Sequence, residues 1–164
     1  MIVNLSNILK RVDSSLEVND EMFLPLINYN NEDIPLKTPL KVEAIIMNRG
    51  EYLTVEGKLK CVLNLKCSRC LETFEYNLEC DFEERISSKE EEVDFIYFEG
   101  DSIDLTDIIV NNILLNLPMK VVCKEECKGL CHQCGSNMNV NQCDCSDNTT
   151  DPRLAVLKKL LKDS

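Results

Sequence analysis

The chain has 164 residues, of which 44% are hydrophobic and 5% aromatic, and it contains no Trp. This length and composition predict one ordinary soluble globular domain that can bury a core without disulfide bonds, and they exclude a disordered chain. The formal net charge of −11 argues against indiscriminate binding to phosphate backbones, because attraction to nucleic acid needs a basic surface.

The N-terminal stretch MIVNLSNILKRVDSSLEVND has no long apolar run after its basic residues, and no part of the chain approaches the roughly 20 apolar residues of a membrane span. We therefore expect no secretory signal, no membrane association and a cytoplasmic location. Thiols stay reduced in that compartment, so clustered cysteines there are more often metal ligands than disulfides.

Charge is unevenly distributed along the chain. Residues 72–107 contain 14 acidic and two basic side chains, whereas residues 57–71 carry four basic side chains and no acid. We interpret the acidic run as a solvated face, and the basic stretch as a local surface that a polyanion could contact.

Apolar residues on every second position predict two strands around a tight turn. The alternation covers 53–67 and resumes over 74–82, with polar residues between the apolar ones. If the strands pair so that position numbers sum to 139, Lys60 faces Glu79 on the outer side of the hairpin. Opposite charges at such positions stabilise the pairing.

Further elements flank this hairpin. We predict an earlier strand over 40–48 and a later one over 93–98, each followed by a turn that contains Gly. The segment 103–118 predicts a mostly buried helix with Thr106 as N-cap, Asp107 in the first turn and a proline at its end.

Two shorter patterns concern the chain ends. The sequence IDLTDII, which opens the predicted helix, repeats the pattern of VNLSNIL at 3–9, so the same strand-to-helix cap is expected twice. Residues 151–163 predict a short amphipathic helix with a leucine stripe, preceded by a polar linker at 146–150.

Ten cysteines are the strongest chemical signal in the chain. Cys61 and Cys80 lie on the apolar stripes of the hairpin, so we interpret them as small buried hydrophobes. The other eight suit two tetrahedral sites for zinc or a similar metal, because tight turns aim pairs of sulfurs at one point. These candidate metal ligands are Cys67, Cys70, Cys123, Cys127, Cys131, Cys134, Cys143 and Cys145.

Two partitions of the eight cysteines are open from the sequence. The first choice joins the pairs 67/70 and 123/127 and makes the last four a self-contained site. The rival set consists of Cys127, Cys131, Cys134 and Cys143, and it leaves Cys145 free. Two zinc ions are expected, with a single ion as the alternative.

Other cysteine chemistries fit less well. The spacing of Cys127, Cys131 and Cys134 matches the cluster-binding triad of radical S-adenosylmethionine enzymes, but the predicted antiparallel meander lacks repeated strand–helix units. A disulfide framework and a dithiol redox enzyme are disfavoured by the missing secretory signal and the hairpin context. The single histidine, His132, is expected to face solvent, with a role as fourth ligand as the minor alternative.

Several segments resemble one known family, the bacterial YceD-type proteins called large ribosomal RNA subunit accumulation proteins. They run in family order and cover most of the chain: CSRCLE (67–72), LPMKVVC (117–123), CKGLCHQCG (127–135), CDC (143–145) and DPRLAVLKKL (151–160). The resemblance implies a cytoplasmic role in accumulation or processing of large-subunit (23S) ribosomal RNA, without an established enzymatic reaction. The resemblance also implies that some relatives lack the second cysteine group, which favours the first partition.

Together these features predict an α+β fold: an antiparallel β meander or curved sheet with a buried helix, a cysteine-rich zinc-binding region and a short C-terminal helix. We expect an α+β core over 1–122, a metal-binding segment over 123–145, and a linker and helix over 146–164.

The expected function is non-enzymatic, with no small-molecule substrate, and the expected partner is precursor large-subunit ribosomal RNA or a ribosome-assembly protein. The alternative is an acidic protein–protein adaptor that recruits a nuclease or a ribosomal protein. Candidate RNA contacts are Lys58, Lys60, Lys66, Arg69, Lys120, Lys124 and Lys128.

Overall fold

The computed structural model describes residues 1–29, 32–89 and 95–145. Their α+β fold is mostly strands, with two helices. The elements in chain order are β1 (Ile2–Asn4), α1 (Ser6–Leu9), β2 (Ser15–Met22), β3 (Leu26–Tyr29), β4 (Glu32–Pro35), β5 (Leu40–Asn48), β6 (Leu53–Lys66), β7 (Thr73–Ser87), β8 (Ile96–Tyr97), β9 (Ser102–Asp104) and α2 (Thr106–Leu115). No helix within these ranges is long and apolar enough to cross a membrane.

The main sheet has five strands in the order β2-β5-β6-β7-β8, and two-stranded sheets are formed by β1 with β9 and by β3 with β4. The pairs β2·β5, β5·β6 and β6·β7 are antiparallel, whereas β7 and β8 pair in parallel. The predicted antiparallel β meander or curved sheet is thus not confirmed as such, because the last pair of strands in the sheet is parallel. The predicted strand 93–98 is limited to Ile96–Tyr97 among the described residues.

The predicted hairpin register is confirmed. Strands β6 and β7 pair with position numbers that sum to 139 throughout the ladder. The Lys60 Nζ lies 2.9 Å from the Glu79 Oε1, and the Lys58 Nζ lies 3.6 Å from the Asp81 Oδ1. Both cross-strand pairs are exposed, so each contributes little to stability.

One face of the sheet forms the hydrophobic core. Val42, Leu59 and Cys80 occupy neighbouring positions on β5, β6 and β7, and all three are buried. Cys61 is also buried, and burial together with nearby Cys80 raises its pKa to about 11. Both cysteines therefore behave as the small hydrophobes that the pattern predicted.

The strand-to-helix pattern noticed at 3–9 and 103–109 corresponds to two matching pieces of structure. The Leu5 N–H donates to the Asp101 carbonyl over 2.7 Å, and the Leu105 N–H donates to the Met1 carbonyl over 2.9 Å. Each of the two strand-to-helix segments thus donates a backbone hydrogen bond to the chain next to the other segment.

The N-caps of the two helices are the buried leucines Leu5 and Leu105, and the side chain before each leucine accepts a hydrogen bond from the first helical residue. The Asn4 Oδ1 accepts from the Ser6 N–H over 2.9 Å, and the Asp104 Oδ1 accepts from the Thr106 N–H over 3.0 Å. The prediction that Thr106 is the N-cap was wrong: Thr106 is the first helical residue, and its hydroxyl donates to Asp104.

The chain divides into two compact units. The first consists of Met1–Lys66 and Thr73–Val121, and it contains all the helices and strands named above; the second consists of Cys67–Glu72 and the chain from Val122 onward. The division into 1–122, 123–145 and 146–164 stays a prediction, and the helix predicted over 151–163 lies outside the described residues.

Candidate metal centres

Four cysteines from two distant stretches of the chain meet in the second unit. The sulfurs of Cys67, Cys70, Cys123 and Cys127, here called the first cluster, all lie within 4.8 Å of one another. Three of them are buried and Cys123 is half-buried. The site therefore has little contact with solvent.

A second cluster forms entirely from local sequence. The sulfurs of Cys131, Cys134, Cys143 and Cys145 also lie within 4.8 Å of one another. Cys134 and Cys145 are exposed, so this cluster is the more accessible one.

The grouping of the eight sulfurs is that of the first partition. The rival set, which combined Cys127 with Cys131, Cys134 and Cys143, is not the one that the fold brings together. Cys145, which the rival left free, belongs to the second cluster. Metal binding by these sets stays a prediction.

The CxxC turn of the first cluster has two backbone hydrogen bonds that fix its shape. The Cys67 N–H donates to the Glu72 carbonyl over 2.9 Å, and the Leu71 N–H donates to the Cys67 carbonyl over 2.9 Å. These bonds curl the backbone so that both cysteines of the turn point to the same side.

The CxxC turn of the second cluster repeats this arrangement. The Cys131 N–H donates to the Ser136 carbonyl over 2.8 Å, and the Gly135 N–H donates to the Cys131 carbonyl over 2.9 Å. Gly135 has φ of 72°, and Leu71, at the equivalent position of the first turn, has φ of 62°. Both positions thus lie in the left-handed region that favours glycine.

The sulfur spacing fits a tetrahedral metal ion. Sulfurs that each lie ~2.3 Å from a tetrahedral zinc are about 3.8 Å apart. The Cys67 and Cys127 sulfurs are 3.8 Å apart, and so are the Cys70 and Cys123 sulfurs. Four thiolates complete the coordination of such an ion, so the first cluster suits a structural rather than a catalytic metal.

Ionisation is unevenly shared within the first cluster. Burial opposes ionisation of Cys67, but N–H groups of Cys70, Cys123 and Arg69 donate to its sulfur and lower its pKa to about 6. Burial and the adjoining thiols raise the pKa of Cys123 to about 12. Several thiolates repel one another in this space, and a divalent cation removes that repulsion.

Ionisation is also unevenly shared among the thiols of the second cluster. The Ser136 hydroxyl and N–H lower the pKa of Cys134 to about 6, whereas the adjoining thiols of Cys134 and Cys143 raise the pKa of Cys145 to about 12. Each cluster thus offers one thiol that ionises readily and one that ionises only when its charge is compensated.

Two residues support the first cluster in ways that the sequence analysis missed. The Arg69 guanidinium donates to the backbone carbonyls of Glu125 and Cys127 over 3.2 and 2.9 Å, so it holds the segment that carries one ligand. The Asn139 Nδ2 lies 3.4 Å from the Cys127 sulfur. Burial opposes ionisation of Cys127, but donors that include Asn139 leave its pKa below the ordinary value. Cysteine spacing carries no signal for either residue.

His132 is exposed and lies outside both clusters, as the sequence predicted.

The candidate RNA contacts differ in whether their side chains already have partners. Lys58 and Lys60 form ion pairs on the sheet, and Arg69 binds backbone carbonyls, so these three cations are already engaged. The remaining candidates are exposed and form no ion pair among the described residues: Lys66, Lys120, Lys124 and Lys128.

The fold and the two clusters define a class: an α+β protein in which a strand-rich core accompanies a cysteine-rich unit with two four-cysteine sets that could bind metal ions. The chain belongs to the YceD family, described as "Large ribosomal RNA subunit accumulation protein YceD", whose pattern matches residues 55–161. The family resemblance seen in the sequence is thereby confirmed.

Relatives are found in bacteria and in plants. The uncharacterized protein YlbN of Bacillus subtilis is 31% identical over 159 residues, which cover 90% of this chain and 89% of YlbN. An uncharacterized Mycobacterium tuberculosis protein is 26% identical over 176 residues, covering 98% of this chain and 81% of that protein.

A plant relative has a functional name. The chloroplastic "Large ribosomal RNA subunit accumulation protein YCED homolog 1" of Arabidopsis thaliana is 26% identical over 162 residues, which cover 79% of this chain but 50% of the plant protein. No solved structure is significantly similar to the chain.

Proposed function

We propose that this protein binds two zinc ions in its cysteine clusters and supports the accumulation or processing of large-subunit ribosomal RNA, without catalysing a reaction itself. The family membership supports the ribosomal role, and the plant relative's name points to the same process. The observation that carries the metal proposal is the 3.8 Å separation of paired sulfurs in the first cluster, the distance a tetrahedral zinc requires.

The role of zinc in this proposal is structural. The first cluster joins residues 67–72 to the chain after Val122, and the second closes the segment from Cys131 to Cys145. Binding free energy at such sites contributes to folding, so the ions keep the cysteine-rich unit in one conformation. A partner then recognises a rigid surface and pays little ordering entropy.

The ribosomal role is tested in cells that lack the protein. They should contain less mature large-subunit ribosomal RNA relative to small-subunit RNA than the parent strain. Expression of the intact chain should restore the ratio, whereas the Cys67→Ser variant should restore it poorly. Cys61→Ala is the matched control, because it removes a core cysteine outside both clusters. An unchanged RNA ratio without the protein would refute the ribosomal role.

Direct RNA contact is tested on candidate lysines that form no ion pair in the described part of the chain. Lys124→Glu combined with Lys128→Glu should weaken binding of precursor large-subunit RNA, and each lost phosphate contact should reduce the salt slope by about one. Lys10→Glu is the control, since Lys10 is an exposed lysine of the first unit outside the candidate set. Zinc content should stay unchanged. Equal RNA affinity in all three proteins would contradict contact through these lysines.

An acidic adaptor is the second candidate, and one observation favours it. Glu56 on β6 lies directly opposite Glu83 on β7, and both are exposed. Like charges in such pairs destabilise a sheet, so a basic partner would relieve an existing repulsion. Affinity purification with and without nuclease treatment separates the candidates, because an adaptor retains its protein partner after RNA is destroyed.

A further inference from the structure

The loop of the second cluster contacts a ligand of the first. Asn139 lies between Cys134 and Cys143 in the sequence. Closure of the second cluster therefore restricts where Asn139 can lie in space. Its Nδ2 lies 3.4 Å from the Cys127 sulfur, and its Oδ1 accepts from the Lys128 N–H over 2.9 Å. Asn139 therefore contacts both a first-cluster ligand and the residue that follows it.

Asn137 holds Asn139 in this position. The Asn137 Oδ1 accepts from the Asn139 N–H over 3.0 Å and from its Nδ2 over 2.8 Å. The Asn137 Nδ2 reaches the Glu72 carboxylate at 3.4 Å, and the Met138 N–H donates to the Gly129 carbonyl over 2.9 Å. The loop is thus aligned on both segments that supply first-cluster ligands.

We infer that Asn139 is a positioning residue for the first cluster, supplied by the loop of the second, and that metal binding at the second cluster therefore strengthens metal binding at the first. The inference rests on the proposed binding of zinc by both clusters.

The physical basis is a donor aimed at a thiolate. An N–H group that faces a ligand sulfur stabilises its charge and fixes its orientation, and loss of such outer partners typically costs about 10–100-fold in metal affinity. An ion at the second cluster ties Cys134 to Cys143, which shortens the free loop and reduces the conformations open to Asn139. By thermodynamic reciprocity, filling the first cluster must strengthen the second by the same factor.

The experiment uses the full chain and measures zinc affinity by competition with a chelator, with the thiolate-to-cobalt absorption of the cobalt-loaded protein as a second readout. Cys143→Ser isolates the first cluster and Cys67→Ser isolates the second. We expect first-cluster affinity to fall about tenfold or more in Asn139→Ala. Asn141→Ala is the matched control, because Asn141 is an exposed asparagine of the same loop.

A second variant separates positioning from a general effect on folding. Asn139→Asp keeps the oxygen that accepts from Lys128 but replaces the donor near the Cys127 sulfur with another oxygen. First-cluster affinity should fall at least as far as in Asn139→Ala, with a shift of the cobalt absorption. In the Cys67→Ser background, Asn139→Ala should leave second-cluster affinity unchanged.

The decisive measurement is whether the effects of Asn139→Ala and Cys143→Ser on first-cluster affinity add. Once Cys143→Ser has opened the second cluster, Asn139→Ala should lower first-cluster affinity much less than it does in the intact chain. Equal first-cluster affinities in the intact chain, Asn139→Ala, Asn139→Asp and Cys143→Ser would overturn the inference while leaving two-zinc binding intact. Failure of the intact chain to bind zinc would instead refute the proposed function and the inference together.

Discussion

At the scale of single residues, the two CxxC turns differ at one strained position. Their backbone hydrogen bonds match, yet the position after the second cysteine is Leu71 in one and Gly135 in the other, both with positive φ. A leucine in this region is strained by its Cβ, and its side chain is 52% exposed, so packing does not compensate. The first turn therefore forms despite a residue that opposes it locally.

Substitutions at Leu71 and Gly135 should change the stability of the protein in opposite directions. Leu71→Gly should raise the free energy of unfolding of the zinc-loaded protein by about 0.5 kcal/mol, since relief of strain exceeds the added entropy of glycine. Gly135→Ala should lower it by about 1 kcal/mol, because none of the described residues places an atom within 4 Å of the added Cβ and strain alone acts. Denaturant titration measures both, with Ser68→Gly as control for the entropy of glycine. A loss of stability in Leu71→Gly would contradict the assignment of strain.

The thiol pKa values predict how metal binding depends on pH. Zinc binds thiolates, and Cys123 and Cys145 with pKa values of about 12 must lose protons, so zinc affinity should rise with pH. Cys67 and Cys134, with pKa values of about 6, are already ionised at pH 8 and release none. At pH 8, each ion should therefore release at most three protons. Calorimetry in buffers of different protonation enthalpy counts them, and four protons per ion would contradict the lowered pKa values.

At the scale of elements, the two strand-to-helix segments at 3–9 and 103–109 pair with each other within the first unit. Strands β1 and β9 pair with each other, and each leads into a helix through a fully buried leucine, Leu5 or Leu105. Side chains of Asn4 and Asp104 satisfy N–H groups that the helix starts leave without a partner. The short helix α1 depends on this arrangement, since four residues do not form a stable helix alone.

Removal of the side-chain acceptor at either helix start should destabilise the fold. Asn4→Ala and Asp104→Ala should each lower the free energy of unfolding by about 1 kcal/mol. Asp101→Ala is the control, because Asp101 contributes its backbone carbonyl, rather than its side chain, to this arrangement.

Hydrogen bonds from the Met1 ammonium and from Thr106 lower the pKa of Asp104 from 3.8 to about 2. Its contribution is therefore present above pH 3.8 and is lost as the pH falls towards 2. An unchanged free energy of unfolding in both variants would contradict a stabilising role of these two acceptors.

At the scale of the whole molecule, the number of metal ions tests the two-cluster scheme. The intact chain should hold two zinc ions, and Cys67→Ser and Cys143→Ser should hold one each, because each variant removes a ligand from a different cluster. Cys61→Ala should keep both ions, since Cys61 is buried in the core. Elemental analysis of the purified proteins measures this. One ion throughout would contradict two sites, and iron in place of zinc would favour the cluster-enzyme alternative.

Local patterns predicted much of this protein. Period-2 alternation identified β6 and β7, and the register of the hairpin followed from the same pattern because strand side chains alternate strictly. Strand β5 matches the strand that was predicted over 40–48 before a turn. Strands β2, β3 and β4 were missed, since they are short or mostly exposed and their alternation is weak. The helix predicted over 103–118 begins only at Thr106, because Ser102–Asp104 form β9 and pair with β1. The strand-to-helix pattern was visible in the sequence, but the pairing of these two distant segments was not.

For the candidate metal centres, residue spacing was enough to identify the eight candidate cysteines, because closely spaced cysteine pairs are a local feature of the chain. Which sulfurs meet depends on the fold, since 52 residues separate Cys70 from Cys123 and the path of that segment follows from long-range packing. It also placed Asn139 beside Cys127 and engaged Arg69 with backbone carbonyls. Such contacts depend on loops that cysteine spacing does not describe, because spacing constrains neighbours in sequence rather than neighbours in space.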